Sequence, residues 1–314
     1  MSERVLVIGA NGQIGSELVE ALAARHGAEQ VIAADIGPHS LRGAAHYEML
    51  DVLDNARLRQ VSAEHGITQI CQMAAMLSVA AESAPLRAWE LNTGGLLNVL
   101  EIGRERAAAG SPLKIFWPSS IAVFGPGAPR DHAPQVSVLD PITMYGVSKL
   151  AGERLCNYYF NKFGVDVRSL RYPGIVSHKA PPGGGTTDYA VAIFHAAQRG
   201  EVYRCYLAPD TTLPMMLMRD ALRATLALLD APAKSLRVRT SYNLAGMSFS
   251  PRELAAAIRL QRPDFRIEYA PDARQAIADS WPHTIDDSRA RTDWGWRAQV
   301  GMAELVDDML ANIV

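Results

Sequence analysis

Residues 4–27 read RVLVIGANGQIGSELVEALAARHG, and this segment constrains the fold more than any other. RVLVIGA (4–10) is a short apolar run rich in β-branched residues, the composition of a strand buried on both faces. The spacing of apolar positions then changes to that of an amphipathic helix, IGSELVEALAARHG (14–27), which Gly27 ends. A buried strand that feeds straight into a helix is half of a β-α-β unit, because the chain must cross over before a parallel partner can pair.

The alternation continues over the first 175 residues. QVIAAD (30–35) and AHYEML (45–50) read as the second and third strands, 54–65 as a helix, and GITQICQMAA (66–75) as the fourth strand. A long helix is predicted over roughly 86–109, a fifth strand at LKIFWPSS (113–120), a helix over 144–164 and a sixth strand at VDVRSLRY (165–172). Right-handed crossovers place the helices on both faces, so the predicted fold class is α/β, a Rossmann-type doubly wound parallel sheet.

After Pro173 the pattern breaks into a Pro/Gly-rich loop (174–187), a helix near 188–199, a helix at 219–230 and a possible extra strand at 239–246. SPRELAAAIRL (250–260) opens with Ser250 as N-cap, Pro251 at N1 and Glu253 at N3. Short helices follow in 286–296 and 301–313. These segments predict a smaller, discontinuous C-terminal substrate lobe, 177–218 with 247–314, beside a nucleotide-binding domain at 1–176 that regains 219–246.

The chain is long enough for a substantial core, at 314 residues and 48% hydrophobic. A net charge of -2 gives no electrostatic reason to expect nucleic acid, and no apolar run reaches the roughly 18 residues of a membrane span. Cys71, Cys156 and Cys205 lack metal-ligand spacing and read as reduced thiols of a cytoplasmic protein; no metal site is expected.

Gly9, Gly12 and Gly15 form GxxGxxG between a strand and a helix, the context in which glycines let backbone approach a pyrophosphate. Asp35, twenty residues after Gly15, ends the second strand and can accept both hydrogen bonds of a ribose diol. A carboxylate there repels a 2′-phosphate, so the expected cofactor is NAD. Asp51 and Val52, just past the third strand, are candidates to flank the adenine, although an aspartate there also makes a turn. Tyr145 and Lys149 lie four apart on a helix and share a face, and Ser120 ends the fifth strand. An ammonium beside a phenol favours the phenolate, which is how a tyrosine becomes a general base.

Together these residues resemble the extended short-chain dehydrogenase/reductases, the superfamily that includes the sugar-nucleotide epimerases. The resemblance runs through GxxGxxG, MAAMLS (73–78), Asn92, Ser120, Tyr145, Lys149, RYPGIVS (171–177) and DDSRARTDWGW (286–296). It implies that Ser120 and Tyr145 bind and deprotonate a substrate hydroxyl, and that Lys149 also holds the nicotinamide ribose. Gln13 and Ile14, between the glycines, Ala74, Ala75, Asn92 and Ile175 join the cofactor set by the same resemblance.

Within the superfamily, sugar-nucleotide enzymes usually carry RxxN after the sixth strand, whereas this chain has RYPG (171–174). RYPGIVS, GGGTTDYAV (183–191) and LPMMLMRDALRA (213–224) resemble the superfamily's NAD-dependent L-threonine 3-dehydrogenases. That resemblance implies L-threonine as the small-molecule substrate, with its carboxylate gripped by Thr186 and Thr187 and its pocket shaped by Ser78, Ser119 and Trp281. The glycines at 183–185 would hinge a lid over it. It also implies a homodimer, through the helices at 86–109 and 144–164. A sugar-nucleotide epimerase or dehydratase, and a non-catalytic NAD-sensing scaffold, stay open as alternatives.

Overall fold

The computed structural model describes residues 3–38, 43–179 and 183–313; residues 180–182 of the Pro/Gly-rich stretch lie outside them. Eight strands open the chain: β1 (Val5–Ile8), β2 (Val31–Asp35), β3 (His46–Met49), β4 (Gln69–Gln72), β5 (Lys114–Phe116), β6 (Ser119–Ser120), β7 (Asp166–Arg168) and β8 (Leu170–Tyr172). All four residues of β1 are buried, as a strand with neighbours on both edges and helices on both faces requires. The main sheet has the order β3-β2-β1-β4-β5-β7, and every pairing in it is parallel. The order reverses between β1 and β4, and a ligand crevice opens at the carboxyl ends of such a pair.

Helices α1 (Gln13–His26), α2 (Asn55–Glu64), α3 (Ser78–Ser83), α4 (Pro85–Trp89), α5 (Gly95–Ala108) and α6 (Met144–Phe163) belong to this half. Gly27 and Gly164 end α1 and α6 with positive φ, and the side chains of Asp54 and Thr143 cap the starts of α2 and α6. The long helix expected over 86–109 is not continuous. A π-helical turn, Glu90–Gly94, separates α4 from α5. It carries the buried Asn92, whose amide bonds both backbone groups of Met76 and the Ser148 hydroxyl.

The fifth and sixth strands also divide, at Trp117–Pro118 and at Ser169. Pro118 has no N–H to give the ladder, and pairing resumes when β6 joins β8 in the register Ser119↔Arg171. The restart places Ser120 at the carboxyl end of the sheet.

The remaining strands are β9 (Gly174–Val176), β10 (Tyr203–Cys205), β11 (Leu213–Leu217), β12 (Tyr242–Asn243), β13 (Met247–Phe249) and β14 (Ile267–Tyr269). The extra strand expected within 239–246 is β12, parallel to β8. One expectation is corrected: the loop predicted from 174 begins as β9, which pairs in parallel with β11 and thereby with the antiparallel β13. The run GIV is apolar and buried, and the proline before it hid the strand. The helices here are α7 (Tyr189–Arg199), α8 (Met218–Asp230), α9 (Pro251–Arg259), α10 (Arg274–Ala278), α11 (Ser288–Trp294) and α12 (Met302–Asn312). Ser250 and Glu253 form the expected capping box on α9.

Apolar side chains gather in three clusters. One covers the sheet face under α2, α5 and α6, one the face under α1 and α8, and the third joins α7, α9 and α12 to β11 and β13. Among the described residues no helix is long and apolar enough to cross a membrane.

Gly174 shows how closely the two halves meet. A Cβ there would lie 2.5 Å from Met215 Sδ and 2.7 Å from both Cβ and Cγ2 of Thr187. Gly174→Ala is therefore expected to push Thr187 and Met215 away from β9, destabilising the fold by about 1–3 kcal/mol. A thermal melt checks it.

Candidate active site

Two cavities meet at the carboxyl ends of β1 and β4, and Gly9, Gly12, Met73 and Ala75 line both. The outer one, of about 360 Å³, is walled by Asn11, Asp35, Ile36, Asp51, Val52, Ala74 and Leu91 besides the shared residues. The inner one, of about 210 Å³, is walled by the start of α1, by Ser78, by β6, by Tyr145 and Lys149, and by Gly185–Asp188 with Trp281.

The glycine loop fits its expected task. A Cβ on Gly15 would overlap the Gly9 carbonyl oxygen, and Gly9 itself has φ +83 with Ala74 N only 2.6 Å from where its Cβ would stand. No side chain caps the start of α1. The first-turn N–H groups of Gln13, Ile14 and Gly15 are thus left for an anion beside residues that line the cavity. The Asp35 carboxylate accepts the Asn11 N–H at 2.9 Å and the Ile36 N–H at 2.8 Å, which holds it at the rim of the outer cavity. Asp51 both lines this cavity and makes a turn, accepting the Leu53 N–H at 2.9 Å.

The inner cavity holds the other constellation. Ser120 bonds the Tyr145 hydroxyl, and its own Oγ accepts the Ala122 N–H at 3.2 Å. The buried Lys149 donates from Nζ to Pro118 O at 2.6 Å and sits 4.5 Å from the centre of the Trp117 ring and 5.6 Å from that of Tyr145. Burial dominates both titrations. It pushes the Tyr145 hydroxyl up to about 12, against a smaller lowering from the Ser120 bond. It pushes the Lys149 ammonium down to about 7. The lowered tyrosine expected from the Tyr–Lys spacing is therefore not what the protein groups alone produce: spacing reveals a neighbour, and burial outweighs it.

Nearly every candidate residue reaches one of the two cavities. Gly9, Gly12, Gln13, Ile14, Gly15, Asp35, Asp51, Val52, Ala74, Ala75 and Ile175 line them, as do Ser78, Ser119, Ser120, Tyr145, Lys149, Thr186, Thr187 and Trp281. Asn92 does not. It stands behind the wall, tying Met76 to Ser148, the residue before Lys149. Ser119 lines the wall, but its hydroxyl proton goes to Glu153 Oε1 at 2.7 Å. Trp281 is buried, and its carbonyl accepts a bond from Arg130 at 2.9 Å.

Thr186 is 1% exposed, and its Oγ1 has no hydrogen-bond partner among the described residues. A buried hydroxyl without a partner costs about 1–3 kcal/mol, a cost that a bound ligand removes. Asp188 went unremarked in the sequence. Its Oδ2 accepts the N–H groups of Gly184 and Gly185 at 2.7 and 2.8 Å, so it shapes the glycine run, and among the described residues it is the one acidic residue lining the inner cavity. Burial raises its carboxyl, partly offset by those backbone bonds. Arg219 and Arg223 line neither cavity; they pair with Glu304 and Asp220.

The model of the NAD dependent epimerase/dehydratase family matches residues 5–245. The chain belongs to this family. As an NAD dependent epimerase/dehydratase family member it is 44% identical over 311 residues to the mitochondrial L-threonine 3-dehydrogenase of Bos taurus, covering 98% of this chain and 82% of that one. Among solved structures it is similar to the holo form of a GalE-like L-threonine dehydrogenase from Cupriavidus necator, at 56% identity and a TM-score of 0.95, with 98% and 99% of the two chains covered. It is also similar to a monomeric L-threonine 3-dehydrogenase from a metagenome database, at 44% identity and a TM-score of 0.93, with 98% of each chain covered. NAD is the cofactor of this family member, and the cradle just described fits it.

Proposed function

We propose that this protein is an NAD-dependent L-threonine 3-dehydrogenase, oxidising the C3 hydroxyl of L-threonine to give 2-amino-3-oxobutanoate. The observation that carries the reading is a juxtaposition inside one cavity: the Ser120–Tyr145 hydroxyl pair faces a wall containing Thr186, buried and without a partner. The names of the similar proteins from Bos taurus and Cupriavidus necator support it.

When bound, NAD supplies the acceptor for the C3 hydride. The chain's residues do the rest. Ser120 and Tyr145 hold the C3 hydroxyl between them, and Tyr145 takes its proton. Lys149 sets its amine beside the phenol ring, where its protonated form favours the phenolate, and binds the nicotinamide ribose, while Pro118 O fixes its position. Thr186 and Thr187 bind the substrate carboxylate, and Asp188 is the counter-charge for its ammonium. Ser78, Ser119 and Trp281 shape the remaining wall. Asp35 selects NAD by repelling a 2′-phosphate. Residues 177–218 and 247–314 serve as the substrate lobe, with the glycines of 183–185 as the hinge of its lid. The three cysteines are free and buried, which suits a cytoplasmic enzyme.

The test is NADH formation with NAD and L-threonine beside 3-hydroxybutyrate, which lacks the ammonium, and UDP-galactose. Turnover with L-threonine supports the reading, whereas conversion of UDP-galactose without NADH build-up sinks it. Thr186→Val is expected to raise KM for L-threonine roughly 10- to 100-fold with kcat less affected, by removing one hydrogen bond to a charged group. Asp188→Asn should narrow the preference for L-threonine over 3-hydroxybutyrate, as competing-substrate kinetics would reveal.

We also propose a homodimer through α4 and α6. Leu86, Trp89, Val147 and Tyr158 are exposed there, and a second copy would cover them. Light scattering should give twice the mass of one chain, and a single-chain mass would refute the pairing.

A further inference from the structure

Glu153 lies four residues after Lys149 on α6, the spacing at which a lysine and a glutamate ordinarily pair. Both side chains are buried, where such a pair has most to gain, yet no ion pair joins them among the described residues. Glu153 turns instead to Arg171 of β8. Arg171 Nε meets Glu153 Oε1 at 2.8 Å and Nη2 meets Oε2 at 2.7 Å, a two-pronged bond closed off from solvent. Arg171 Nη1 is held by Asn243 Oδ1 at 2.9 Å, and its guanidinium lies 5.3 Å from the centre of the buried Phe124 ring. The second consequence falls on β6. Glu153 accepts the Ser119 hydroxyl at 2.7 Å while Lys149 donates to Pro118 O at 2.6 Å, so neighbouring residues on β6's approach are clamped by successive turns of α6.

We propose that Arg171 is a positioning residue that holds the Glu153 carboxylate away from Lys149. This leaves the ammonium to Tyr145 and turns Glu153 into a brace for the strand end that carries Ser120. The inference rests on the reading of Tyr145 as general base and Lys149 as its partner. Without the guanidinium, Lys149, one helical turn away and also buried, is left as a cation on the same helix to which the Glu153 carboxylate can turn. A carboxylate drawn onto that ammonium raises the tyrosine's pKa by adding negative charge beside the phenolate.

The test compares the pH dependence of kcat/KM for L-threonine in wild type, Arg171→Met, Glu153→Gln and the double variant, with Tyr145→Phe as control. Arg171→Met should move the rising limb to higher pH by about one unit or more, with at least a tenfold loss at pH 7.5. Glu153→Gln, which can still accept from Ser119, should leave the limb within about 0.3 units of wild type. The double variant should return it, because the competing carboxylate is gone. An unmoved limb in Arg171→Met, or a double variant that does not return it, overturns the proposal. If Arg171→Met does not fold, the double variant and Glu153→Gln carry the test, and a shift of about one unit in either overturns it. Wild type without activity, or Tyr145→Phe with it, would instead overturn the general-base reading. An active wild type, an inactive Tyr145→Phe and an unmoved Arg171→Met limb would fail this inference alone.

Discussion

Tyr145→Phe is expected to lower kcat for L-threonine oxidation by roughly 10³-fold while NAD still binds. Phenylalanine keeps the ring against α6 and the cavity wall and loses only the hydroxyl bonded by Ser120. The cofactor's affinity should survive because most of the contacts proposed for it lie elsewhere, at the uncapped start of α1, at Asp35 and along Ala74 and Ala75. Stopped-turnover kinetics with a parallel NAD titration separates the effects. Loss of both would point to misfolding, and retention of turnover would mean another group takes the proton. In the wild type, burial holds the Tyr145 hydroxyl near 12 before the cofactor's positive ring is added, so activity should climb from neutral toward alkaline pH.

Lys149→Met is expected to move activity and stability in opposite directions. Activity should fall about 10²- to 10³-fold, because the charge that favours the phenolate is gone. Stability should rise, since the lysine is buried against one carbonyl and two rings, with no carboxylate paired to it among the described residues. The sign follows from its titration. The folded pKa, pushed down to about 7 from 10.5, lies below the unfolded one, so between those values the unfolded chain binds the extra proton. The wild type therefore gains stability as pH rises through that window and carries the full burden below it. Methionine carries none. The gain at pH 7 should be about 2 kcal/mol, less than the titration alone implies because the Pro118 bond is lost, and it should shrink toward pH 10. Denaturant titrations at pH 6.5 and 9.5 measure the difference, and a less stable variant at pH 6.5 would refute the account of a strained lysine.

Much of the fold was legible because its signals are local. A glycine loop between strand and helix, an aspartate at the next strand end, and the Tyr–Lys spacing each sit within one element. Gly9, Asp35, Ser120, Tyr145 and Lys149 accordingly all reach the cavities. What escaped depends on juxtaposition. Gly174 matters because Thr187 packs on it, and Asp188 because the glycine run folds back onto its carboxylate. Glu153 matters because Arg171, eighteen residues further along the chain, binds its carboxylate from β8. Asn92 belongs to the cofactor set by resemblance alone, and its sequence position says nothing about the π-helical turn that sets it behind the cavity wall. The upward push of burial on the Tyr145 hydroxyl was not legible for a similar reason, since periodicity reports which residues are neighbours but not how much water surrounds them.

The most direct test is to follow the C3 hydrogen itself. L-threonine deuterated at C3 would be incubated with NAD and the purified protein, and the reduced cofactor analysed by mass spectrometry. The account predicts one deuterium in the reduced cofactor, a slower rate than with unlabelled substrate if hydride transfer limits turnover, and label transfer slowed by roughly 10³-fold in Tyr145→Phe. Reduced cofactor without deuterium would contradict it.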